Sequence, residues 1–421
     1  MMKILVITDQ FPILPETFII NHITALFDAG HEVKIVARKP LARNKVHPSV
    51  IKYGLLEKTS YYEFPQNHLA RYLAAPGKII KSQNSIQMLQ HLNPWRYGAG
   101  TLSLHSLFRW NHLPKESFDL IHCHYATIAW NCLGLRSMYN APMTVSIHTP
   151  TSNNRYGIMG GILFWHLFRY CDGFIANSGF TKRCLEASGC PPDKIEKIPV
   201  IALERGVRFY RKILDSTVVT ILSVSRLVAA KGIQFCLLAI KGLTLQGYNL
   251  HYIIIGNGEY KEKLENLVEE LKLNDIVIFK GGLDQKEVFK HYEKADIFVL
   301  PSVKGKNGWV ESQGLVIQEA QQHGLAVIGS NIGGIPEGLN WGKAGLLFEP
   351  GNVMDLENKI KRLLDNPGIA RNIAQAGREY FFEYYSKDVI INKLNVFYKR
   401  CISEFTTTFH FNDAATDLKG R

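Results

Sequence analysis

The strongest constraint on the fold is an alternation of short apolar runs with helix-like segments, which begins near residue 3 and begins again near residue 218. Short apolar runs bounded by turn residues predict buried strands, and the segments between them repeat their apolar residues at helical spacing. Strands that alternate with helices favour a parallel sheet covered by helices on both faces. Because the pattern starts twice, we expect an α/β chain of two Rossmann-like, doubly wound domains.

The alternation also predicts where a ligand binds. The strands expected in the first half are Lys3–Thr8, His31–Ala37, Leu120–His122, Met143–Ile147 and Gly173–Ala176, and residues 60–115 are expected to be mostly helical. The strands expected in the second half are Val218–Ser223, His251–Ile255, Val277–Phe279, Ile297–Leu300, Ala326–Gly329 and Ala344–Phe348. Doubly wound folds bind ligands outside the carboxyl ends of their strands, so we expect a site in a cleft between the domains.

The length of 421 residues is enough for two or three domains. We place an N-terminal domain at residues 1–205 and a C-terminal domain at residues 206–385. Residues 386–405 are expected to form a helix that packs back on the N-terminal domain. The polar residues 406–421 are expected to be a disordered tail.

Composition narrows the class of protein. Hydrophobic residues make up 46% of the chain and charged residues 20%, as in soluble globular enzymes. No apolar run reaches about 18 residues, and the N-terminus enters a strand directly, so neither a membrane span nor a signal peptide is expected. The seven cysteines form no CxxC pair, which indicates free thiols and a cytoplasmic protein.

The net charge of +12 is concentrated in the first half of the chain. Residues 1–200 contain 21 Lys and Arg against 12 Asp and Glu, whereas residues 201–421 contain 28 against 25. The basic half suits an anionic membrane surface or a pyrophosphate-bearing substrate. Nucleic acid is not expected, because no RNP, KH, zinc-finger or Lys/Arg-run motif is present. A solvated basic surface without a partner is an equally good interpretation.

Two cations follow the first strand of the second half. Arg226 and Lys231 lie between that strand and the helix expected at Ile233–Gln246. Together with the free N–H groups of the helix, they make an anion site that suits a diphosphate. The plainer alternative is a pair of unrelated surface charges.

Two carboxylates follow with seven residues between them. Glu311 lies in a polar, Gly-containing loop, and Glu319 lies about one turn into the helix expected at Val316–His323. Carboxylates at such positions can accept hydrogen bonds from the hydroxyls of a sugar or a ribose. The amides that open this helix can bind phosphate, and they belong to Gly314, Leu315 and Val316.

Gly256 belongs to a Gly-x-Gly turn after the strand His251–Ile255. Glycines allow a tight turn and a close approach of the backbone to a neighbour or a ligand. The third glycine of a dinucleotide fingerprint is missing, so the turn does not predict that cofactor. A Gly-x-Gly turn by itself is more often structural than substrate-binding.

Histidines stand at the ends of two successive strands of the first half. His122 and His124 are two residues apart on a strand and therefore share one face, and His148 follows the next strand. The third ligand of a zinc site is not evident, so no metal is predicted. Packed histidines and functional histidines are equally good interpretations.

Taken together, these motifs resemble the family 4 retaining glycosyltransferases, whose fold of two Rossmann domains is called GT-B. The resemblance rests on the order of an Arg-Leu-x-x-x-Lys-Gly segment, a Gly-x-Gly turn, a Pro-Ser segment, the two glutamates and a Gly-Gly-x-Pro-Glu segment, and it extends from residue 3 to about residue 400. The N-terminal Phe-Pro-x-x-x-Glu-Thr-Phe-Ile segment looks like that of transferases that build exopolysaccharides such as colanic acid and amylovoran.

The resemblance implies that the domain at residues 1–205 binds the acceptor and the domain at residues 206–385 binds the nucleotide sugar. On the donor side it implies a role for each matching residue. Arg226 and Lys231 would bind the diphosphate of the donor. Glu311 would bind the hydroxyls of the donor sugar, and Glu319 the ribose. The backbone of Gly314–Val316 would donate hydrogen bonds to phosphate and sugar.

On the acceptor side the resemblance is weaker. His124 matches a histidine near the reacting sugar carbon, and His148 matches one beside the acceptor. At the donor, Phe279–Leu283 would pass beside the nucleobase. The departures from the family are Ile13–Glu16 in place of a Gly-Gly loop, Thr149 in place of Gly, Pro199–Ala202 at the interdomain link, and Gln321 with Gln322 in place of an apolar pair. They affect the acceptor side and the link, whereas the donor motifs are intact.

The resemblance implies retaining transfer of a hexose from a UDP- or GDP-sugar to a glycan acceptor, without metal or cofactor, in exopolysaccharide, capsule or O-antigen biosynthesis. A polyprenyl-linked acceptor at the inner face of the membrane would suit the basic half. Two alternatives stay open: a protein that binds nucleotide sugar without turnover, and another GT-B enzyme such as a sugar-nucleotide epimerase. Residues Ile158–Tyr170, with Phe164, Trp165 and Phe168, suit a core helix better than an interfacial stripe.

Overall fold

The computed structural model describes residues 1–13, 16–38, 47–81, 85–90, 92–97, 99–148, 153–202, 217–306 and 308–417, and these residues form two compact units. Unit 1 comprises Met1–Asn177, Thr181–Ile201 and Ile390–Arg421. Unit 2 comprises Ser178–Phe180 and Ala202–Val389. The domain boundary that we place at residues 205 and 206 lies outside the described residues.

Unit 1 is built on a seven-stranded parallel sheet. Its strands are β1 (Lys3–Gln10), β2 (Glu32–Arg38), β3 (Thr59–Tyr62), β4 (Leu120–His124), β5 (Met143–Ile147), β6 (Gly173–Ala176) and β7 (Ile195–Lys197). They lie in the order β3-β2-β1-β4-β5-β6-β7. The order of the strands reverses beside β1. The loops after β1 and β4 therefore lie at the topological switch point, at which doubly wound folds bind ligands.

The helices of the first part of the chain are α1 (Thr17–Asp28), α2 (Pro48–Lys52), α3 (His68–Ile80), α4 (Ser85–Gln90), α5 (Pro94–Tyr97), α6 (His105–Trp110), α7 (Ala126–Trp130), α8 (Gly134–Tyr139), α9 (Asn153–Tyr170) and α10 (Gly179–Ala187). Short 3-10 helices add Ala99–Ser103 and Pro192–Lys194. The sheet is covered on both faces: Leu5 and Ile7 enter one buried cluster, whereas Ile4 and Val6 enter another. Because successive side chains of a strand point to opposite faces, a doubly covered strand has a continuous apolar sequence.

Unit 2 repeats this design with a six-stranded parallel sheet. Its strands are β8 (Val219–Val224), β9 (Leu250–Ile255), β10 (Val277–Gly281), β11 (Ile297–Leu300), β12 (Ala326–Ser330) and β13 (Leu346–Phe348), in the order β10-β9-β8-β11-β12-β13. Ile221 and Leu222, adjacent on β8, enter buried clusters on opposite faces.

The helices of unit 2 are α11 (Ile233–Leu245), α12 (Lys261–Glu270), α13 (Gln285–Lys294), α14 (Leu315–Gln322), α15 (Ile335–Gly338), α16 (Val353–Asp365) and α17 (Pro367–Tyr384). Two 3-10 helices add Ala229–Lys231 and Asn340–Gly342. The order of the strands again reverses beside β8, so the loops after β8 and β11 lie at the switch point of this sheet.

A long last helix, α18 (Lys387–Asp417), returns the chain to unit 1. Ile390, Leu394, Phe397 and Tyr398 are buried in the same cluster as β1 residues Ile4 and Val6. Where we expect a disordered tail from residue 406, the helix continues to Asp417. No Gly or Pro interrupts residues 387–417, so the backbone hydrogen bonds can continue.

Helix α9 separates the two interpretations given to Ile158–Tyr170. Phe164 and Phe168 are buried in the core of unit 1, and only Trp165 of the three aromatic residues is exposed. The helix is therefore a core helix rather than an interfacial stripe; the side chains of residues 158–160 and 162 lie outside the described part. All seven cysteines are free, and among the described helices none is long and apolar enough to cross a bilayer.

Candidate functional site

The first elements of the site follow β8. The strand ends at Val224, and a 3-10 turn ending at Lys231 leads into α11. Gly232 between the turn and the helix has a φ of 70°, and a Cβ atom there would lie 1.8 Å from the carbonyl oxygen of Pro301. Only glycine fits this contact, so the start of α11 is held against the chain that leaves β11.

Lys231 and Glu311, both predicted site residues, form an ion pair in unit 2. The Lys231 Nζ atom also lies 5.0 Å from the centre of the Trp309 ring, in cation–π contact. The side chains of Lys231 and Glu311 are only 13% and 12% exposed, so little solvent screens this ion pair. Arg226, at the end of the same strand, is exposed and makes no ion pair with another described residue.

The Gly-Gly-x-Pro-Glu segment packs against the backbone of the Glu311 loop. The Gly334 N–H donates to the backbone oxygen of Glu311 at 2.9 Å. A Cβ atom at Gly333 would lie 2.1 Å from the Glu311 oxygen, and one at Gly334 would lie 1.9 Å from the Ser312 oxygen. The two glycines are therefore required for close approach to the Glu311 loop as well as for their own turn.

Helix α14 carries the second glutamate. It begins after Gly314, which has a φ of 78°, and its first amides belong to Leu315 and Val316. The first N–H groups of a helix have no acceptor inside the helix, so they can receive an anion. Glu319 lies one turn further and is buried, with its Oε2 atom 3.1 Å from the hydroxyl of Tyr292. Burial raises the pKa of Glu319 to about 7.

Gly256 takes a structural position in unit 2. Its N–H donates to the Gly281 oxygen at 2.8 Å, and a Cβ atom there would lie 1.8 Å from the oxygen of Ser225. A Cβ atom at Gly258 would similarly lie 2.2 Å from the oxygen of Leu227. The turn thus supports the loop that carries Arg226. Gly256 can therefore contribute to a site through the position of that loop.

The histidines predicted at strand ends lie together in unit 1. His122 and His124 share one face of β4, with ring centres 4.9 Å apart. His148 follows the neighbouring strand β5, and its Nε2 atom lies 2.9 Å from Nδ1 of His124. His124 is 1% exposed, so it is a buried residue behind the more accessible His148.

Two further residues, His22 of α1 and Tyr398 of α18, join the histidines. His22 Nδ1 lies 3.1 Å from His124 Nε2, and His22 Nε2 lies 3.1 Å from the Tyr398 hydroxyl. The same hydroxyl lies 3.1 Å from His122 Nδ1. The sequence gives no signal for these two residues, because they come from helices that are distant in the chain from β4. We call His22, His122, His124, His148 and Tyr398 the histidine chain.

Burial keeps the histidine chain uncharged. It lowers the pKa of His22 to about 4 and that of His148 to about 3, and it lowers the pKa of His122 and His124 well below the usual value. Burial also raises the pKa of the Tyr398 hydroxyl well above its usual value. Near neutral pH each imidazole therefore carries one proton, and the phenol keeps its own.

His22, His122 and His124 each bring one ring nitrogen to within 4.8 Å of the others, which is close enough for a shared metal ion. The sequence alone does not reveal this third ring, and His22 supplies it. Neutral imidazole is the form that ligates metals. However, the ring nitrogens of the three residues already have polar partners at hydrogen-bond distance.

A pocket in unit 1 adjoins the histidine chain. It is lined by polar groups of His124, His148 and Asn177 and by the apolar side chains of Phe18, Ile198 and Leu394. The ring of Phe18 lies 4.6 Å from that of His148. A ligand here would contact the His148 ring and apolar surface, whereas the Nδ1 atom of His148 is itself buried.

Sequence comparison finds relatives across both units. A family model described as "Glycosyl transferases group 1" matches residues 209–380, and one described as "Glycosyltransferase Family 4" matches residues 15–200. The amylovoran biosynthesis glycosyltransferase AmsK of Erwinia amylovora is 30% identical over 86% of this chain and 90% of its own length. WcaL of Salmonella typhimurium, named for colanic acid biosynthesis, is 27% identical over 93% of this chain and 98% of its own.

Solved structures share the fold. HepE of Anabaena, crystallised in complex with UDP, is similar with a TM-score of 0.66 and 17% identity over 94% of this chain and 98% of the HepE chain. TarM is similar with a TM-score of 0.68 and 16% identity over 94% of this chain and 99% of its own. Together with the two parallel sheets, these similarities confirm the predicted fold of two Rossmann-like domains.

Proposed function

Because this chain belongs to the group 1 and family 4 glycosyltransferases, we propose that it moves a hexose from a nucleotide-diphosphate sugar to a glycan acceptor with retention of configuration. The family assignment selects transfer among the activities that the sequence leaves open. The names of AmsK and WcaL support a role in exopolysaccharide biosynthesis. The observation that carries the donor side is the Lys231–Glu311 pair beside the start of α14.

The pair gives each of its residues a role at the donor. Cleavage of the bond between the sugar C1 and the diphosphate oxygen leaves negative charge on the diphosphate. Lys231, Arg226 and the first amides of α14 are suited to stabilise that charge, as a metal ion does in other transferases. Glu311 can accept hydrogen bonds from sugar hydroxyls while it orients the Lys231 ammonium group.

The proposed reaction is a same-face substitution. The C1–O bond to the diphosphate breaks, the C1–O bond to the acceptor hydroxyl forms, and the acceptor proton passes to the departing phosphate oxygen. The sugar has oxocarbenium character in the transition state, which nearby oxygen atoms stabilise.

The remaining predicted residues have supporting roles in this proposal. Glu319 would hold the ribose, and Gly314–Val316 would donate backbone hydrogen bonds. Gly256 would act through the Arg226 loop. On the acceptor side we assign His124 and His148.

The donor nucleotide is proposed to be UDP or GDP. HepE, which shares the fold, binds UDP and UDP-glucose in its crystals, and one relative is named as a GDP-mannose-dependent mannosyltransferase. Thermal-shift measurements with UDP-, GDP- and ADP-sugars separate the candidates, because a ligand that binds only the folded state raises its melting temperature. A shift with ADP-sugars alone would contradict this assignment.

The acceptor is proposed to be a polyprenyl-linked glycan at the cytoplasmic face of the membrane. Support comes from the basic first half of the chain and from helix α3 of unit 1. Leu69, Tyr72, Leu73 and Ile80 of α3 are all at least half exposed. They recur at helical spacing, so they form one apolar stripe that a membrane interface would cover. Peripheral attachment through α3 follows from this proposal.

The donor assignment is tested by Lys231→Ala. We expect turnover of the true donor to fall about 100-fold or more, as for the loss of one charged stabiliser of a leaving group. Lys343→Ala, at an exposed lysine of unit 2, is the matched control and should be close to wild type. Near-normal turnover of the Lys231 variant would rule out its role at the diphosphate. Release of free nucleoside diphosphate together with a lengthened glycolipid distinguishes transfer from binding alone.

A further inference from the structure

The hydrogen bonds of the histidine chain form one uninterrupted path through unit 1. His148 contacts His124, His124 contacts His22, His22 contacts Tyr398, and Tyr398 contacts His122. His122 then contacts two hydroxyls of β5: Thr144 Oγ1 lies 3.0 Å from its Nδ1 atom, and Ser146 Oγ lies 3.0 Å from its Nε2 atom. Four separate elements, α1, β4, β5 with the residue after it, and α18, contribute to the path.

A path of neutral rings can be ordered in only two ways. A neutral imidazole donates from one nitrogen and accepts at the other, so a proton placed on one ring fixes the direction of the next hydrogen bond. The Tyr398 hydroxyl transmits the order in the same manner, since it has one proton to donate. The path therefore has a single direction from end to end.

The contacts of Thr144 favour one of the two directions. Its hydroxyl lies 3.3 Å from the backbone oxygen of Ile121, to which it can only donate. With its proton directed to that oxygen, Thr144 accepts from His122 Nδ1; the proton of His122 is then on Nδ1, and Ser146 donates to Nε2. The Tyr398 oxygen accepts from the same His122 N–H, and its own proton goes to His22 Nε2.

The remaining protons follow from this order. His22 carries its proton on Nδ1 and donates to His124 Nε2. His124 carries its proton on Nδ1 and donates to His148 Nε2. His148 is thus left with its proton on Nδ1. The arrangement is unusual, because a histidine free in water favours the proton on Nε2.

We propose that His22 and Tyr398 are positioning residues that hold His124 and His148 in the Nδ1–H form and thereby fix the tautomer and the orientation of the His148 ring, which lines the pocket of unit 1. This inference rests on the proposed function for its assignment to the acceptor side. His148 would be the ring that contacts the acceptor, and His124, which is almost fully buried, would act through it.

A shared metal ion is the competing use of His22, His122 and His124. Two observations favour the hydrogen-bonded path. The ring nitrogens of the three residues contact ring nitrogens or hydroxyls at 2.9–3.1 Å, and the Tyr398 hydroxyl lies between His22 and His122. The metal interpretation is an outcome of the experiment below.

The direct test is ¹⁵N NMR of the full chain labelled selectively at histidine, with single histidine variants for assignment. We expect neutral Nδ1–H signatures for His22, His122 and His124 in the wild type near pH 7. Proton signatures on Nε2 of these rings would overturn the proposal. This reading does not depend on activity, so it stands or fails separately from the transferase assignment. A stoichiometric divalent metal in the purified protein, lost in His22→Ala, would also overturn it.

The variant Tyr398→Phe removes the hydroxyl that transmits the order and keeps the buried ring. We expect His22 and His124 to populate both tautomers, and turnover to fall about 5-fold, with the effect in acceptor KM or kcat and with nucleotide binding unchanged. Tyr62→Phe is the matched control: Tyr62 is another buried tyrosine of unit 1, and its hydroxyl bonds to Arg109. It should leave the histidine spectra unchanged. An unchanged spectrum in Tyr398→Phe would contradict the proposal.

Discussion

At the scale of single residues, Glu319 links nucleotide binding to pH. Burial raises its pKa to about 7, so the carboxyl group of the ligand-free protein is largely protonated below that pH. A ribose hydroxyl that donates to the carboxylate favours the ionised form and lowers the pKa again. Binding of the nucleotide should therefore release a proton and become tighter as the pH rises toward about 7, by at most about 10-fold per pH unit.

The variant Glu319→Gln has no proton to release. We expect its affinity for a nucleotide sugar, whose diphosphate does not ionise in this range, to be lower than that of the wild type at pH 8 and independent of pH between about 5.5 and 8. Isothermal titration calorimetry in two buffers measures the affinity and the proton release. A wild-type affinity that is flat across this range would refute the linkage.

The same carboxyl group should affect stability without ligand. Its folded pKa is raised, so its stabilising contribution is present below the unfolded value near 4.5 and is lost as the pH rises through about 7. The loss is at most about 3 kcal/mol. Urea unfolding of unliganded wild type should therefore show a steeper fall in stability between about pH 5 and 8 than Glu319→Gln does.

At the scale of elements, the loop of Gly333 and Gly334 should control the position of Glu311. In Gly334→Ala the new methyl group would overlap the Ser312 oxygen, so the Glu311 loop must move. Displacement of a substrate-binding group by about 1 Å can cost about 100-fold in rate, and we expect a loss of that size in steady-state turnover. Gly368→Ala in α17, where no atom lies within 4 Å of the new Cβ, should keep wild-type turnover. Equal rates for the two variants would show that the contact has no such role.

The exposed stripe of helix α3 should contribute to binding of anionic vesicles. In the variant Leu69→Ser with Leu73→Ser, apolar area is lost where the proposal requires it, so co-sedimentation with phosphatidylglycerol vesicles should fall several-fold. Leu245→Ser is a matched control, because Leu73 and Leu245 are both 75% exposed. Wild-type binding should weaken between about 50 and 500 mM salt. Binding that ignores both the salt and the α3 variant would count against membrane attachment by this helix.

Sequence patterns found most elements but missed those with weak local signals. Met143–Ile147, Gly173–Ala176 and Ile297–Leu300 have the bounds expected from their apolar patterns. Strands β3 and β7 were not expected, because they are short edge strands with few apolar residues and so lack the continuous run that marks a doubly covered strand. Helices are predicted best where one face is buried along their whole length.

At the scale of the whole molecule, α18 should be required for the stability of unit 1. Its buried residues include Phe397 and Tyr398, and the loss of one large buried side chain costs roughly 3–5 kcal/mol against a total stability of about 5–15 kcal/mol. A chain that ends at Val389 should lose protection of residues 1–201 in limited proteolysis. A chain that ends at Thr407 keeps these residues and should unfold within a few degrees of the full chain. Full protection in the shorter chain would show that unit 1 folds without α18.

The sequence by itself determined the class of fold and the donor motifs. Strand and helix periodicity is a local property, and it reports directly which faces are covered. The donor residues Arg226, Lys231, Glu311 and Glu319 are likewise recognisable because each motif occupies a short segment at a strand end. Their roles at the substrate remain predictions.

Only the tertiary structure decided how the histidines are arranged. The resemblance places His124 near the reacting sugar carbon; in the structure both its ring nitrogens face other histidines, and His148 is the more accessible ring. Tyr398 reaches His122 across 276 positions of the chain. No local pattern encodes such a contact, because it depends on how α1 and α18 pack against the sheet, and packing is settled by the shapes of side chains from distant segments.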